Sequence, residues 1–303
     1  MKNLSKLFFI TMFVFGFAAL ANAQTPAVQL PRASQRAEIV QTVGDTRIAL
    51  VYHRPNVNKR KVWGEGKDFL VPYGQVWRTG ANENTTFEVS ENVRINGQDL
   101  PAGKYGLHTI PNKDEWTIIF NKVNNEWGSF TYKPDQDALR VKVKPQTSNM
   151  MRETMMFEFD TVTPTTSNVV LSWEKLRIPF TVDVGDINAR LLPKLRQNIA
   201  NAAGGQPQAQ FAAKMQAANF VLDNKVRAAY PEAMVWIDDS LKIREAFGSL
   251  RAKARISAEM GNYKDAIAYG ERAISVGKAA TPAINADLMA NFEKDVASWK
   301  ARK

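Results

Sequence analysis

The chain has 303 residues, with 40 Lys and Arg against 30 Asp and Glu and no cysteine. Its length allows two domains at roughly 100–200 residues each, and its 45% hydrophobic and 23% charged content is ordinary for globular protein. The missing cysteines exclude a disulfide framework, thiolate zinc, an iron–sulfur cluster and a cysteine nucleophile, and two histidines, His53 and His108, are too few for a multi-histidine metal centre.

In chain order, residues 1–23 read as a signal peptide. Lys2 and Lys6 precede an apolar run over residues 7–20, and Ala21-Asn22-Ala23 offers small residues for cleavage before Gln24. The run is too short to span about 30 Å of hydrocarbon comfortably, so the reading is an exported protein, periplasmic or secreted, without a transmembrane segment after cleavage. Export also argues against nucleic acid as the partner of the basic excess. Residues 24–35 read as a flexible mature N-terminus.

Residues 36–186 alternate like strands. RAEIVQTV and RIALVYH flank Gly44-Asp45, which suggests a hairpin, and further runs follow at 85–90, 93–96, 104–110, 116–122, 139–144, 155–162 and 169–184. In Leu139-Arg140-Val141-Lys142-Val143-Lys144 the apolar residues fall on one face and the cations on the other, as in a half-solvated antiparallel strand. Nine or ten such strands with no helical pattern between them imply an antiparallel β-sandwich or jelly-roll domain.

Residues 187–303 switch to Ala-rich helical patterns, six in all, giving a multidomain α and β chain. Asn188 is placed to cap the first helix, with Pro193 near its first turns. Tyr230-x-x-Ala233-x-x-Trp236-x-x-x-Ser240 repeats 33 residues later as Tyr263-x-x-Ala266-x-x-Tyr269-x-x-x-Ala273. This pattern resembles the tetratricopeptide repeat, which implies an all-α helical repeat domain that docks a protein segment or braces the sandwich.

The densest chemistry lies in WRTGANENT (77–85), with His53-Arg54 upstream and LPAGKYGLH (100–108) downstream. With Trp127-Gly128 and Asp137-Ala138-Leu139-Arg140-Val141, these stretches closely resemble the exported bacterial β-domain family known as domain of unknown function 2911. The resemblance spans roughly residues 30–184. It implies compartment and architecture and assigns no activity.

Read physically, Arg54, Trp77, Arg78, Asn82, Glu83, Asn84, Lys104 and His108 form a candidate ligand-binding set. Aromatic faces stack on sugar rings, amides and charges satisfy hydroxyls, and Arg78 suits a carboxylate or phosphate. The bland alternatives are a core role for Trp77 and an ion pair between Arg78 and Glu83. No catalytic residue, metal site or cofactor is assigned. A Ser–His–acid triad would have to use His53 or His108, and the Gly-x-Ser-x-Gly elbow is missing.

The leading expectation is a non-catalytic exported binding protein, its sandwich holding a polar ligand such as a glycan or envelope component and its helices a protein partner. The alternative is an envelope saccharide or peptide hydrolase with Glu83 and His108 as proton-transfer groups.

Overall fold

The computed structural model describes residues 30–302. The expected signal peptide and residues 24–29 lie outside the described residues.

Twelve strands precede six helices. One antiparallel sheet has the order β1 (Gln35–Val43), β2 (Thr46–Arg54), β5 (Thr85–Val89), β8 (Gly103–Ile110), β9 (Trp116–Asn121) and β10 (Asp137–Val143). The second has the order β11 (Gln146–Asp160), β12 (Thr166–Asp183), β6 (Val93–Ile95) and β7 (Gln98–Leu100), and β3 (Trp63–Gly64) pairs with β4 (Val71–Pro72) beside them. The Gly44-Asp45 turn closes the β1–β2 hairpin at the pair Val43–Thr46, as its sequence suggests.

One hydrophobic core joins the two sheets. Ile48, Leu50, Phe87, Leu107 and Phe120 from the larger sheet meet Phe157, Leu171, Phe180 and Val182 from the smaller. Alternation selects these residues, because successive strand side chains point to opposite faces. A tryptophan group closes one end: Trp63 sits edge-on to Trp116 at 5.0 Å and to Trp173 at 5.3 Å, and Trp77 stacks on Trp173 at 5.8 Å. Such aromatic pairs contribute about 0.5–1.5 kcal/mol each beyond the area they bury.

The outer face of the larger sheet is covered in part by a loop. On β8, Tyr105 and Leu107 enter the core, while Gly106 and His108 point outward beneath residues 122–136. Gly106 permits that cover: a Cβ there would stand 2.3 Å from the Val123 carbonyl oxygen and 2.6 Å from Asn84 Nδ2. An isolated glycine in a strand commonly marks such a close approach.

The helices are α1 (Ile187–Ala202), α2 (Pro207–Asp223), α3 (Tyr230–Ile243), α4 (Phe247–Glu259), α5 (Tyr263–Lys278) and α6 (Ala286–Lys300). Asp186, not Asn188, caps α1, its carboxylate accepting from Ala189 N at 3.0 Å, so the helix starts earlier than expected. Pro193 falls inside α1, where its missing N–H cannot bond the Ala189 carbonyl. The fully buried small residues Ala217, Ala218, Ala233, Ala254, Ala266 and Ala273 let α2, α3, α4 and α5 approach closely. No described helix is long and apolar enough to cross a membrane.

Only three residues, Val184–Asp186, connect β12 to α1. Beyond them Ile187 packs on Gly44 and the sandwich core, Arg190 grips Asp45, and Lys194 reaches Glu91 at 2.7 Å.

Candidate functional site

The segment of residues 77–85 runs along the larger sheet, and it does not gather all eight candidate side chains. Arg54 Nε donates to the Met155 carbonyl at 2.8 Å and so ties the two sheets together. Trp77 bridges by its backbone to Thr109 and sends its ring into the tryptophan group, its indole N–H donating to the Gly80 carbonyl. Lys104 is exposed on β8, where its carbonyl accepts from Asn124.

Arg78 and Asn84 by their side chains, and Asn82 and Glu83 by their backbones, instead meet residues 126–129. Asn82, with φ of +57°, accepts from Gly128 N at its carbonyl and donates from its amide to the Ser34 carbonyl. Asn84 holds Glu126 at both backbone groups, its N–H donating to the Glu126 carbonyl and its Oδ1 accepting from Glu126 N, each at 2.9 Å. Asn84 is buried, and its side-chain amide is satisfied by this clasp at Oδ1 and by donation from Nδ2 to the Thr85 carbonyl.

The Arg78–Glu83 ion pair of the alternative reading is not formed. Glu83 binds Arg32 at 2.7 Å and lies 3.4 Å from His53 Nε2. The hydrogen bond from Arg32 holds the Glu83 carboxyl below its ordinary pKa, and burial pushes the His53 imidazole down despite the facing carboxylate. Among the described residues the Arg78 guanidinium has neither an ion-pair partner nor a side-chain hydrogen bond, and its Nε is shut off from solvent. Burial alone lowers its pKa. Arg78 Nη1 lies 3.3 Å from where a side-chain carbon on Gly128 would stand, so the cation sits against the covering segment.

His108 and Glu83 do not share a site. His108 is fully buried, its Nδ1 lying 3.0 Å from Ser129 Oγ and its Nε2 4.0 Å from Glu126 Oε2. His108 Nε2 and Glu126 Oε2 are both buried without a hydrogen-bond partner. Burial pushes the His108 pKa down, opposed by Glu126 and Asp137. Thr131 donates its hydroxyl to the other Glu126 oxygen. A cleft of about 330 Å³ opens against Val123, Glu126, Thr131, Lys133 and Gln136. Beside it, Trp127 and Phe130 are 57% and 83% exposed.

Sequence reasoning missed Glu126 and Ser129 as partners of His108. The pointer to them is Gly106, a glycine inside a strand that lets a loop settle on that face. No group of three or more acidic or histidine side chains suited to a metal occurs among the described residues.

Residues 34–182 match the model of a family described as a protein of unknown function (DUF2911). The match covers nearly the whole of the β domain. All eight candidate residues, with Glu126 and Ser129, fall inside the DUF2911 match, and all six helices fall outside it. No curated protein and no solved structure matches the chain.

A second cleft lies in the helical half. It measures about 460 Å³ and is walled by α2, α4 and α6, with Asp223, Arg255, Glu259, Asp295 and Arg302 around Leu222 and Trp299.

Proposed function

We propose that the chain is an exported ligand-binding protein whose β domain holds an acidic glycan. The observation that carries this reading is the unpartnered Arg78 guanidinium. A half-buried cation without a counter-charge costs stability, and an arriving carboxylate or phosphate converts that cost into affinity through paired N–H···O bonds. Phe130 and the side of Trp127 that the Arg32 guanidinium leaves uncovered offer exposed aromatic faces for sugar rings, and Asn82 and Glu83 stand beside Trp127 and Gly128.

Thermal unfolding of the purified chain with acidic and neutral glycan fragments tests this. A ligand at 100 times its dissociation constant stabilises the native state by about 2.7 kcal/mol, a shift of several degrees. The shift should occur with acidic fragments and vanish in Arg78→Ala. Equal shifts in both proteins, or none with any fragment, would overturn the reading.

The helical cleft supports a second role. The 33-residue repeat motif opens α3 and α5 at Tyr230 and Tyr263, and α2, α4 and α6 form the inner layer of a tetratricopeptide-like array that holds a segment of a protein partner. Peptides selected on the intact chain should lose binding in Arg255→Glu and keep it in Arg78→Ala; retention in Arg255→Glu would count against the cleft.

A further inference from the structure

We infer that Ser129, His108 and Glu126 form a nucleophile, base and orienting carboxylate that cleave a carboxylic ester of a small acyl group on the outer face of the β domain. The inference shares Arg78, Trp127 and Phe130 with the glycan reading, yet its chemistry stands on Ser129, His108 and Glu126, which that reading does not use.

A neutral imidazole carries one N–H and one lone pair, and its surroundings choose the tautomer. Glu126 Oε2 faces Nε2 at 4.0 Å, and a carboxylate oxygen repels a lone pair there. The proton therefore resides on Nε2 and the lone pair on Nδ1. The Ser129 hydroxyl, 3.0 Å away and with no other hydrogen bond among the described residues, must then be the donor to Nδ1. A serine donating to an imidazole whose second nitrogen faces a carboxylate is the arrangement that general-base activation of an alcohol requires.

The unpaired atoms point the same way. A resting structural histidine satisfies both nitrogens, whereas His108 Nε2 and Glu126 Oε2 are each buried without a partner. The Glu126 side chain is 10% exposed and the His108 side chain 0%. Their separation is about 1 Å beyond a hydrogen bond, a gap that a small rotation of the Glu126 side chain closes as positive charge develops on the imidazole. The backbone of Glu126 is clasped by Asn84, and its other oxygen is held by Thr131. Burial also keeps His108 neutral near pH 7, in its proton-accepting form.

The chemistry balances with water alone. Ser129 Oγ bonds to the ester carbonyl carbon as its proton passes to His108 Nδ1, and the carbonyl π pair moves onto oxygen. Arg78, unpaired beside Gly128, is the cation placed near that developing charge. Collapse breaks the bond to the leaving alkoxide, which takes the proton from His108. Water then gives a proton to His108 and its hydroxide to the acyl carbon. Loss of Ser129 Oγ, reprotonated by His108, frees the carboxylic acid. Exposed Phe130, one residue beyond Ser129, and Trp127 provide apolar surface for the acyl group.

The test exposes the purified chain to a biotinylated fluorophosphonate and to p-nitrophenyl acetate. The expected result is one adduct per chain, mapped by mass spectrometry to Ser129, and saturable ester hydrolysis, both abolished in Ser129→Ala with thermal unfolding unchanged. His108→Gln should lower the labelling rate at least 100-fold, on the order of a general base's contribution. His108 is deeply buried, so Glu126→Gln serves should His108→Gln fail to fold. It should slow labelling roughly 100-fold and displace the midpoint of the pH–rate profile to lower pH, which a merely structural residue would not do. An unmodified Ser129 in the folded wild type, or equal labelling in Ser129→Ala, overturns the inference whatever the glycan experiment gives. Labelling of Ser129 in a wild-type chain whose unfolding no glycan fragment shifts would uphold the chemistry while the glycan reading falls.

Discussion

The guanidinium of Arg190 straddles the carboxylate of Asp45, binding both oxygens while its Nη1 donates to the Val184 carbonyl at 2.8 Å. The first helix is thereby fastened to the β1–β2 turn. The pair is mostly buried, with side-chain exposures of 19% and 17%, and the Arg190 hydrogen bond holds the Asp45 pKa below its ordinary 3.8. A lowered carboxylate pKa contributes stability that is complete above the unfolded value and fades as pH falls through the folded one. Asp45→Asn should therefore cost about 2 kcal/mol at pH 7, and the difference from wild type should begin to shrink below pH about 3.8 and be lost only beneath the lower folded value. Urea unfolding at pH 7 and pH 3 checks both.

His53 and His108 set a second pH dependence of the same sign. Burial holds both imidazoles below the ordinary 6.5, so the unfolded chain takes up protons first as pH falls. Stability should decline below pH about 6.5 and level off beneath the folded values. His108→Gln, where it folds, should flatten this slope between pH 7 and pH 5 more than His53→Gln, because His108 is the more deeply enclosed. Chemical denaturation across that range measures it.

Arg78 should behave as a residue kept at a cost. Arg78→Met removes a desolvated charge and keeps its aliphatic length, so the variant should gain about 0.5–2 kcal/mol while losing acidic-glycan binding. A Tm lower than wild type would mean that the guanidinium has a structural partner after all.

Gly106→Ala tests the cover over His108. The new methyl group would meet the Val123 carbonyl oxygen and the Asn84 amide, neither of which yields easily. The cost should be about 1–3 kcal/mol, with residues 122–136 becoming a site of limited proteolysis.

In the helical half, Gly270→Ala should loosen α6. Its Cβ would stand 2.6 Å from Val296 Cγ2 and 3.4 Å from the Trp299 ring. About 1–3 kcal/mol of destabilisation is expected, readable as a lower urea midpoint in the helical signal at 222 nm.

The core was legible because alternation and helical period report which face is buried. Leu139–Lys144 and the 33-residue spacing from Tyr230 to Tyr263 carry that information locally. The very short β3 and β4 carry no period, and the first half of β11 was missed because Gln146–Glu153 is polar and its pairing to β12 shifts register. The candidate site was half legible. Composition brought out Arg78, Asn82, Glu83, Asn84 and His108, but it cannot say who pairs with whom: Glu83 turns to Arg32 and His53, and His108 to partners 18 and 21 residues onward. Those pairings depend on a loop folding back over a sheet, which no spacing along one strand encodes. Trp77 illustrates the opposite limit, since an aromatic suited to stacking on a sugar looks the same in sequence as one stacking on Trp173.

The junction between the halves is made by one isoleucine and two cations meeting the acidic groups Asp45 and Glu91. Cutting the chain after Asp186 would bare little oily surface on the sandwich and leave two carboxylates that water hydrates readily. The helical half is thus held to the sandwich largely by charge, so raised salt should loosen this seam before it disturbs either core.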